Sequence, residues 1–174
     1  IVSPATWAYF TQERFGWSPG MVGVSLASFG IAMAVVQGGL IRVILARLGE
    51  AGTVIYGLCF NAFAFVCLAF VVSPGLALIM TPLTALGAVV TPALQAMMSR
   101  IAGDNQQGEL QGVISSARAV AYIFAPLVLT QIFALFTAQD APIYLPGAAF
   151  LLSMALMAVC LALFLTRPTR AQPP

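Results

Sequence analysis

The side chains able to do chemistry in this 174-residue chain are few and sit in unusual surroundings. Thr81, Thr84, Thr91 and Gln95 interrupt a stretch otherwise made of Leu, Ile, Val and Ala. At ~100° per residue they project, with Ala88, within about 80° of one another. Such a ladder of hydroxyls and an amide is costly against lipid, so it must look into protein or water. Ser115, Arg118 and Tyr122 share another helical face. Arg118 lies six residues past Gly112, about 9 Å along a helix. An arginine at that depth either lines a water-filled cavity or snorkels to the membrane edge. Gln37 and Asn61 are isolated amides in apolar runs, each needing a neighbouring helix or a ligand as partner. No acid lies inside any of these runs, and the chain has no His, which removes the usual near-neutral general base. Cys59, Cys67 and Cys160 lie in apolar runs without metal-ligand spacing or a disulfide framework, and read as small lipid- or core-facing side chains. No metal site, cofactor loop or nucleophile-and-base set is present, so the chain is not expected to be an enzyme.

The elements that must carry these residues follow from charge. Seven Arg plus five acidic residues make twelve charges, where a soluble domain of this size would carry about a quarter, roughly 43. With 61% apolar residues, this excludes a soluble globule, and the net charge of +2 excludes a nucleic-acid partner. Residues 15–41, 51–99 and 141–166 are free of charge, and 110–139 hold only Arg118. The run 51–99 would measure about 73 Å as one helix, against a ~30 Å hydrocarbon core, so it must double back. Its turn signal is Ser73-Pro74-Gly75. These runs lack the alternation of a membrane barrel. The expected fold is therefore all-α integral membrane, with spans at about 20–42, 52–72, 76–98, 113–136 and 146–166. Residues 1–10 are apolar but too short to cross. They read as the far end of a further helix that is cut short, so the chain reads as a fragment. Residues 167–174 form a Pro-rich tail.

Orientation follows from the arginines. Arg42, Arg47, Arg100, Arg167 and Arg170 fall on one side and Arg14 on the other, so the positive-inside rule places the C-terminus in the cytoplasm. Trp7, Trp17 and Tyr144 then fall near the outer interface. In the first full span, Gly23, Ala27, Gly30, Ala34 and Gly38 form a small-residue stripe suited to close helix packing. Pro82 and Pro92 inside the third span, and Pro126 in the fourth, remove backbone donors and loosen their helices. In the connection 103–112, the Gln106, Gln107 and Gln111 amides and two glycines suit helix capping.

At these residues a family becomes recognisable. Residues 10–17 (FTQERFGW), 23–31 (GVSLASFGI), 91–100 (TPALQAMMSR) and 107–112 (QGELQG), with Pro126-Leu127, resemble the C-terminal half of major facilitator superfamily transporters of the tetracycline-efflux, drug:proton antiporter type. The resemblance implies that residues 1–10 end helix seven, truncated, and that the five spans in 11–166 are helices eight to twelve of a six-helix half. It implies a secondary active transporter in the bacterial inner membrane, multi-pass, exporting a drug such as tetracycline, or another small amphipathic molecule, by alternating access coupled to protons. Partners would be lipid, the N-terminal half, substrate and protons; cofactors, none. Carried onto matching positions, cavity candidates are Gln37, Asn61, Thr84, Thr91, Gln95, Arg118 and Tyr122. Structural or gating candidates are Gly30, Gly38, Arg47, Gly49, Pro92, Gly108, Gly112 and Pro126. This chain departs from the pattern at Asn61, where the tetracycline exporters place an Asp, at Ala51-Gly52, at Ala125 and at Arg118. Asn can hydrogen-bond but cannot exchange a proton. The rival reading is a non-transporting membrane module that packs against a partner protein.

Overall fold

The computed structural model describes residues 4–138 and 143–166. The expectations for residues 1–3, for Arg167 and Arg170, and for the rest of the tail lie outside those residues. Every regular element among them is helical. Helix α1 (Pro4–Phe15) precedes α2 (Pro19–Val35), whose start is set by Ser18 capping Met21 N–H and by Pro19, which needs no N–H partner there. Helix α2 runs through a π-turn, Val36–Leu40, into α3 (Ile41–Phe70). The combined segment Pro19–Phe70 has 52 residues. Laid out straight it would measure about 78 Å, more than two bilayer cores.

It is not straight. Gly49 has φ 67°, a left-handed conformation, and it breaks α3 into two legs. Glycine adopts that conformation at little cost, having no Cβ to clash. Thr53 closes the break by donating to the Gly49 carbonyl at 2.6 Å. The second leg returns to the end of the bundle where α2 begins: Val22 is buried in one cluster with Phe65, Leu68 and Ala69.

After Phe70 the chain turns at residues 71–73 and enters α4 (Pro74–Leu83), with Pro74 in its first turn. A 3-10 stretch, Thr84–Val89, then leads into α5 (Val90–Ala102), and these three form one apolar span of 29 residues. Helix α6 (Gln107–Thr137) and helix α7 (Ala148–Thr166) complete the bundle. The second leg of α3 is its centre. The α4–α5 span runs antiparallel to it, with Ala77 near Phe65 and Leu68 at one end and Ala93 near Val54 and Leu58 towards the other. Helix α7 lies antiparallel on another side, with Gly147 against the Ala69 backbone and Met157, Leu161 and Phe164 against Val54 and Leu58.

One end of the bundle is sealed by aromatic rings. Phe10 meets Phe150 edge-on at 4.7 Å, and Trp7 lies edge-on to Trp17 at 6.3 Å and to Phe150 at 6.1 Å. Each such pair contributes about 0.5–1.5 kcal/mol beyond area burial. Trp7 donates its indole N–H to Ser25 Oγ at 2.9 Å, tying α1 to α2. Trp7 and Trp17 are thus buried by neighbouring rings, whereas Tyr144 is exposed.

Helix α6 is the peripheral element. Leu129 is its one buried residue, and Tyr9 stacks on Phe133 at 6.3 Å to hold α1 to it.

Candidate functional site

The α4–α5 span holds most of the candidate polar residues, and its backbone departs from α geometry where they lie. Pro82 and Pro92 supply no N–H, so the carbonyls of Leu78 and Ala88 lose their α-helical partners. Between the prolines, Thr84–Val89 form a 3-10 helix. Such a helix advances about 120° per residue rather than ~100°, so six residues shift the phase by about 120°. The expected single ladder is therefore split. Thr81 is buried and donates to the Ala77 carbonyl at 2.7 Å; Thr84 donates to the Thr81 carbonyl at 2.6 Å. Thr84 faces an apolar groove of about 190 Å³ that includes Phe60, Phe63, Cys67 and Met80. Thr91 is exposed and Gln95 half-buried.

Asn61 reaches this segment from α3. Its side-chain N–H donates to the Gly87 carbonyl at 2.9 Å. The approach requires glycines: a methyl at Gly87 would collide with the Asn61 amide, and one at Gly57 with the Val90 side chain.

The other non-α turn packs on the first. Val36 and Ile41, bounding the π-turn, are buried in one cluster with Ala85 and Val89 of the 3-10 stretch. Gln37 and Gly38 lie on this turn and are exposed, as is Gly30, and no neighbour lies within contact of a methyl added at either glycine. A π-turn inside an α-helix frequently marks a functional position.

On α6, Arg118 and Tyr122 are exposed, and Arg118 makes no ion pair among the described residues. Pro126 leaves the Tyr122 carbonyl without its helical donor. One turn on, Thr130 donates to the Pro126 carbonyl at 2.7 Å. Gly108 and Gly112 sit in open space on the same helix.

A second cluster forms where α3 breaks and α5 ends. Arg100 pairs with Glu50 at 2.9 Å, and an open depression of about 590 Å³ lies beside them, lined by Leu45, Gly49, Met97 and the pair itself. Arg47 lies nearby in sequence and is exposed. Gly103, φ 65°, ends α5. Gln107 closes that end with three bonds: Nε2 donates to the Ser99 and Gly103 carbonyls at 2.7 and 3.1 Å, and Oε1 accepts from Ser99 Oγ at 2.9 Å.

The structure thus joins Asn61 to the Thr84 turn, sets the Gln37 turn beside it, and couples Gly49 to α5 through Glu50 and Arg100. It leaves Arg118 and Tyr122 on a separate face of α6. Sequence reasoning missed Gly57, Gly87 and Gly147, of which only Gly57, set among Tyr56, Leu58 and Phe60, carried a signal, and it missed the Trp7–Ser25 bond. Among the described residues no group of three His, Cys, Asp or Glu could hold a metal.

Comparison with known proteins places this arrangement. The chain is 38% identical over 160 residues to the tetracycline resistance protein of class C from Escherichia coli, covering 92% of this chain and 39% of that protein. It is 34% identical over 164 residues to the class B protein from the same species, covering 94% and 40%. It is 25% identical over 127 residues to the Hippocampus abundant transcript 1 protein of Mus musculus, covering 73% and 26%. The chain therefore spans about two fifths of the length of the tetracycline resistance proteins named here. No solved structure gives a significant match. The profile of the Major Facilitator Superfamily matches residues 1–174. With helices long and apolar enough to cross a membrane, and with that match running the length of the chain, this multi-pass membrane protein belongs to the Major Facilitator Superfamily, a family of transporters rather than enzymes.

Proposed function

We propose that the chain is the C-terminal half of a secondary active transporter that exports a small amphipathic drug, tetracycline first among candidates, by alternating access coupled to protons. The observation that carries this reading is its identity of 38% and 34%, over more than nine tenths of its length, to proteins named for tetracycline resistance. In folds of this kind two repeats rock about a site near the midplane. Helix α1 is the end of helix seven and the later spans are helices eight to twelve. Gln37, Thr84, Thr91, Gln95, Arg118 and Tyr122 supply substrate contacts from this half. Asn61 commits its amide to Gly87 and stands outside that set. Gly30 and Gly38 allow close approach of a helix from the N-terminal half, and Gly49, Arg47 and the Glu50–Arg100 pair form the inner gate, with Gly108 and Gly112 at its rim. Pro92 and Pro126 let their helices bend. The acids that carry protons belong to the N-terminal half, because residues 15–41, 51–99 and 141–166 contain none. The protein resides in a bacterial inner membrane, as its relatives from Escherichia coli suggest, and the arginine distribution supports a cytoplasmic C-terminus.

The test is efflux from drug-sensitive bacteria expressing the complete gene, against a panel of antibiotics that includes tetracycline. Export of at least one compound is expected, collapsing with the proton gradient. Gln95→Ala should reduce that export at unchanged expression. No efflux of any compound by a well-expressed full-length protein overturns the reading. The present chain expressed by itself should enter the membrane and export nothing.

A further inference from the structure

The contact between Asn61 and Gly87 does more than fill space. The Gly87 carbonyl accepts the backbone N–H of Val90, three residues on, and also the Asn61 side-chain N–H from the neighbouring helix. Its two lone pairs are thus used with the backbone in 3-10 form. In an α turn the same oxygen would accept the N–H of residue 91 instead, and the carbonyl, lying closer to the helix axis, would point less directly at the amide. Pro92 lowers the cost of leaving α geometry, because the α bond from residue 92 to Ala88 does not exist in either form. Glycine is required at both 57 and 87 for the helices to come this close. On its other side, the 3-10 stretch rests on the π-turn through Ala85 and Val89.

We propose that Asn61 is a positioning residue: by bonding the Gly87 carbonyl it holds residues 84–89 in the 3-10 form and thereby sets which way Thr91 and Gln95 face. Without the donor, the stretch relaxes to α, shortens by about 3 Å and turns everything beyond it by about 120°. Thr91, now exposed, would turn toward the packed side, and the fully buried Ala93 would turn outward. This deepens the transporter reading and rests on it only for the meaning of Thr91 and Gln95 as substrate contacts.

The experiment uses the full-length protein in native membranes, with Cys59, Cys67 and Cys160 replaced by Ala and single cysteines introduced as Thr91→Cys or Ala93→Cys. A water-soluble maleimide reads the ratio of labelling at the two sites. Transport is not read, so failure of the exporter reading leaves this result intact. In the Asn61 background the ratio should be high. Asn61→Leu, similar in size but without a donor, should lower it about tenfold, the contrast between an accessible and a buried thiol. An unchanged ratio in Asn61→Leu overturns the proposal. Where Asn61→Leu fails to reach the membrane, Asn61→Ala, which removes the donor without adding bulk, decides by the same ratio: a fall supports the proposal and a constant ratio overturns it.

Discussion

At the scale of single residues, space decides more than polarity. A methyl at Gly147 would run into the backbone of Ala69, which cannot swing aside as a side chain can. Gly147→Ala should therefore cost at least the roughly 1–3 kcal/mol typical of overpacking, seen as a lower Tm in detergent. Gly112 has open space around it inside helix α6. Gly112→Ala should accordingly raise helix stability by about 0.5–1 kcal/mol. Equal Tm shifts for the two would contradict the packing described. Neither difference was legible in the sequence, which shows a glycine at both positions but not what lies across from it. Thr91 teaches the same lesson. Its projection at a uniform helical step put it close to Thr84, but the step changes between residues 84 and 89, for reasons that lie on another helix at Asn61 and at the π-turn.

At the scale of elements, ends and breaks were easier to foresee than interior geometry. Ser73-Pro74-Gly75 signals a turn because proline needs no donor at a helix start, and α4 begins at Pro74. Gln107, expected to suit capping, closes the end of α5 with bonds to Ser99 and Gly103. Gln107→Ala removes three bonds of about 1 kcal/mol each, one of them to a well-exposed carbonyl and worth less. Faster proteolysis between 103 and 106, with little change at 71–73, is the expected signature. The Glu50–Arg100 pair is a weaker brace, because the Arg100 side chain is 73% exposed. Glu50→Gln should therefore change stability by less than about 1 kcal/mol. A large loss of Tm in that variant would mean that the pair is held by more than its own charges.

At the scale of the molecule, the helical membrane class was legible because stretches this long without charge have no other solution. The order of packing was not, since it depends on which helix the second leg of α3 meets. One link between distant parts lies at the aromatic end, where Tyr144, between α6 and α7, donates to Glu13 of α1 at 2.9 Å. Burial, followed by the hydrogen bond and charge of Glu13, pushes the Tyr144 phenol above its usual pKa, with Arg14 opposing. The sign follows: the neutral phenol is the bonding form, so the link is intact below pH about 10 and is lost as pH rises through the elevated value. Melting curves of the wild type and Tyr144→Phe should therefore differ at pH 8 and converge at higher pH.

Consider lastly the seam between Gly147 and Ala69 in the time order of synthesis. Ala69 leaves the ribosome roughly 80 residues before the glycine it packs against, which at about 5–20 residues per second is a wait of about 4–16 s. Until then the central leg has one bare flank, which lipid tails must occupy and later vacate. Truncation shortly before residue 147 would make that temporary state permanent, leaving a polypeptide marked for degradation by the protease machinery that patrols unfinished membrane bundles.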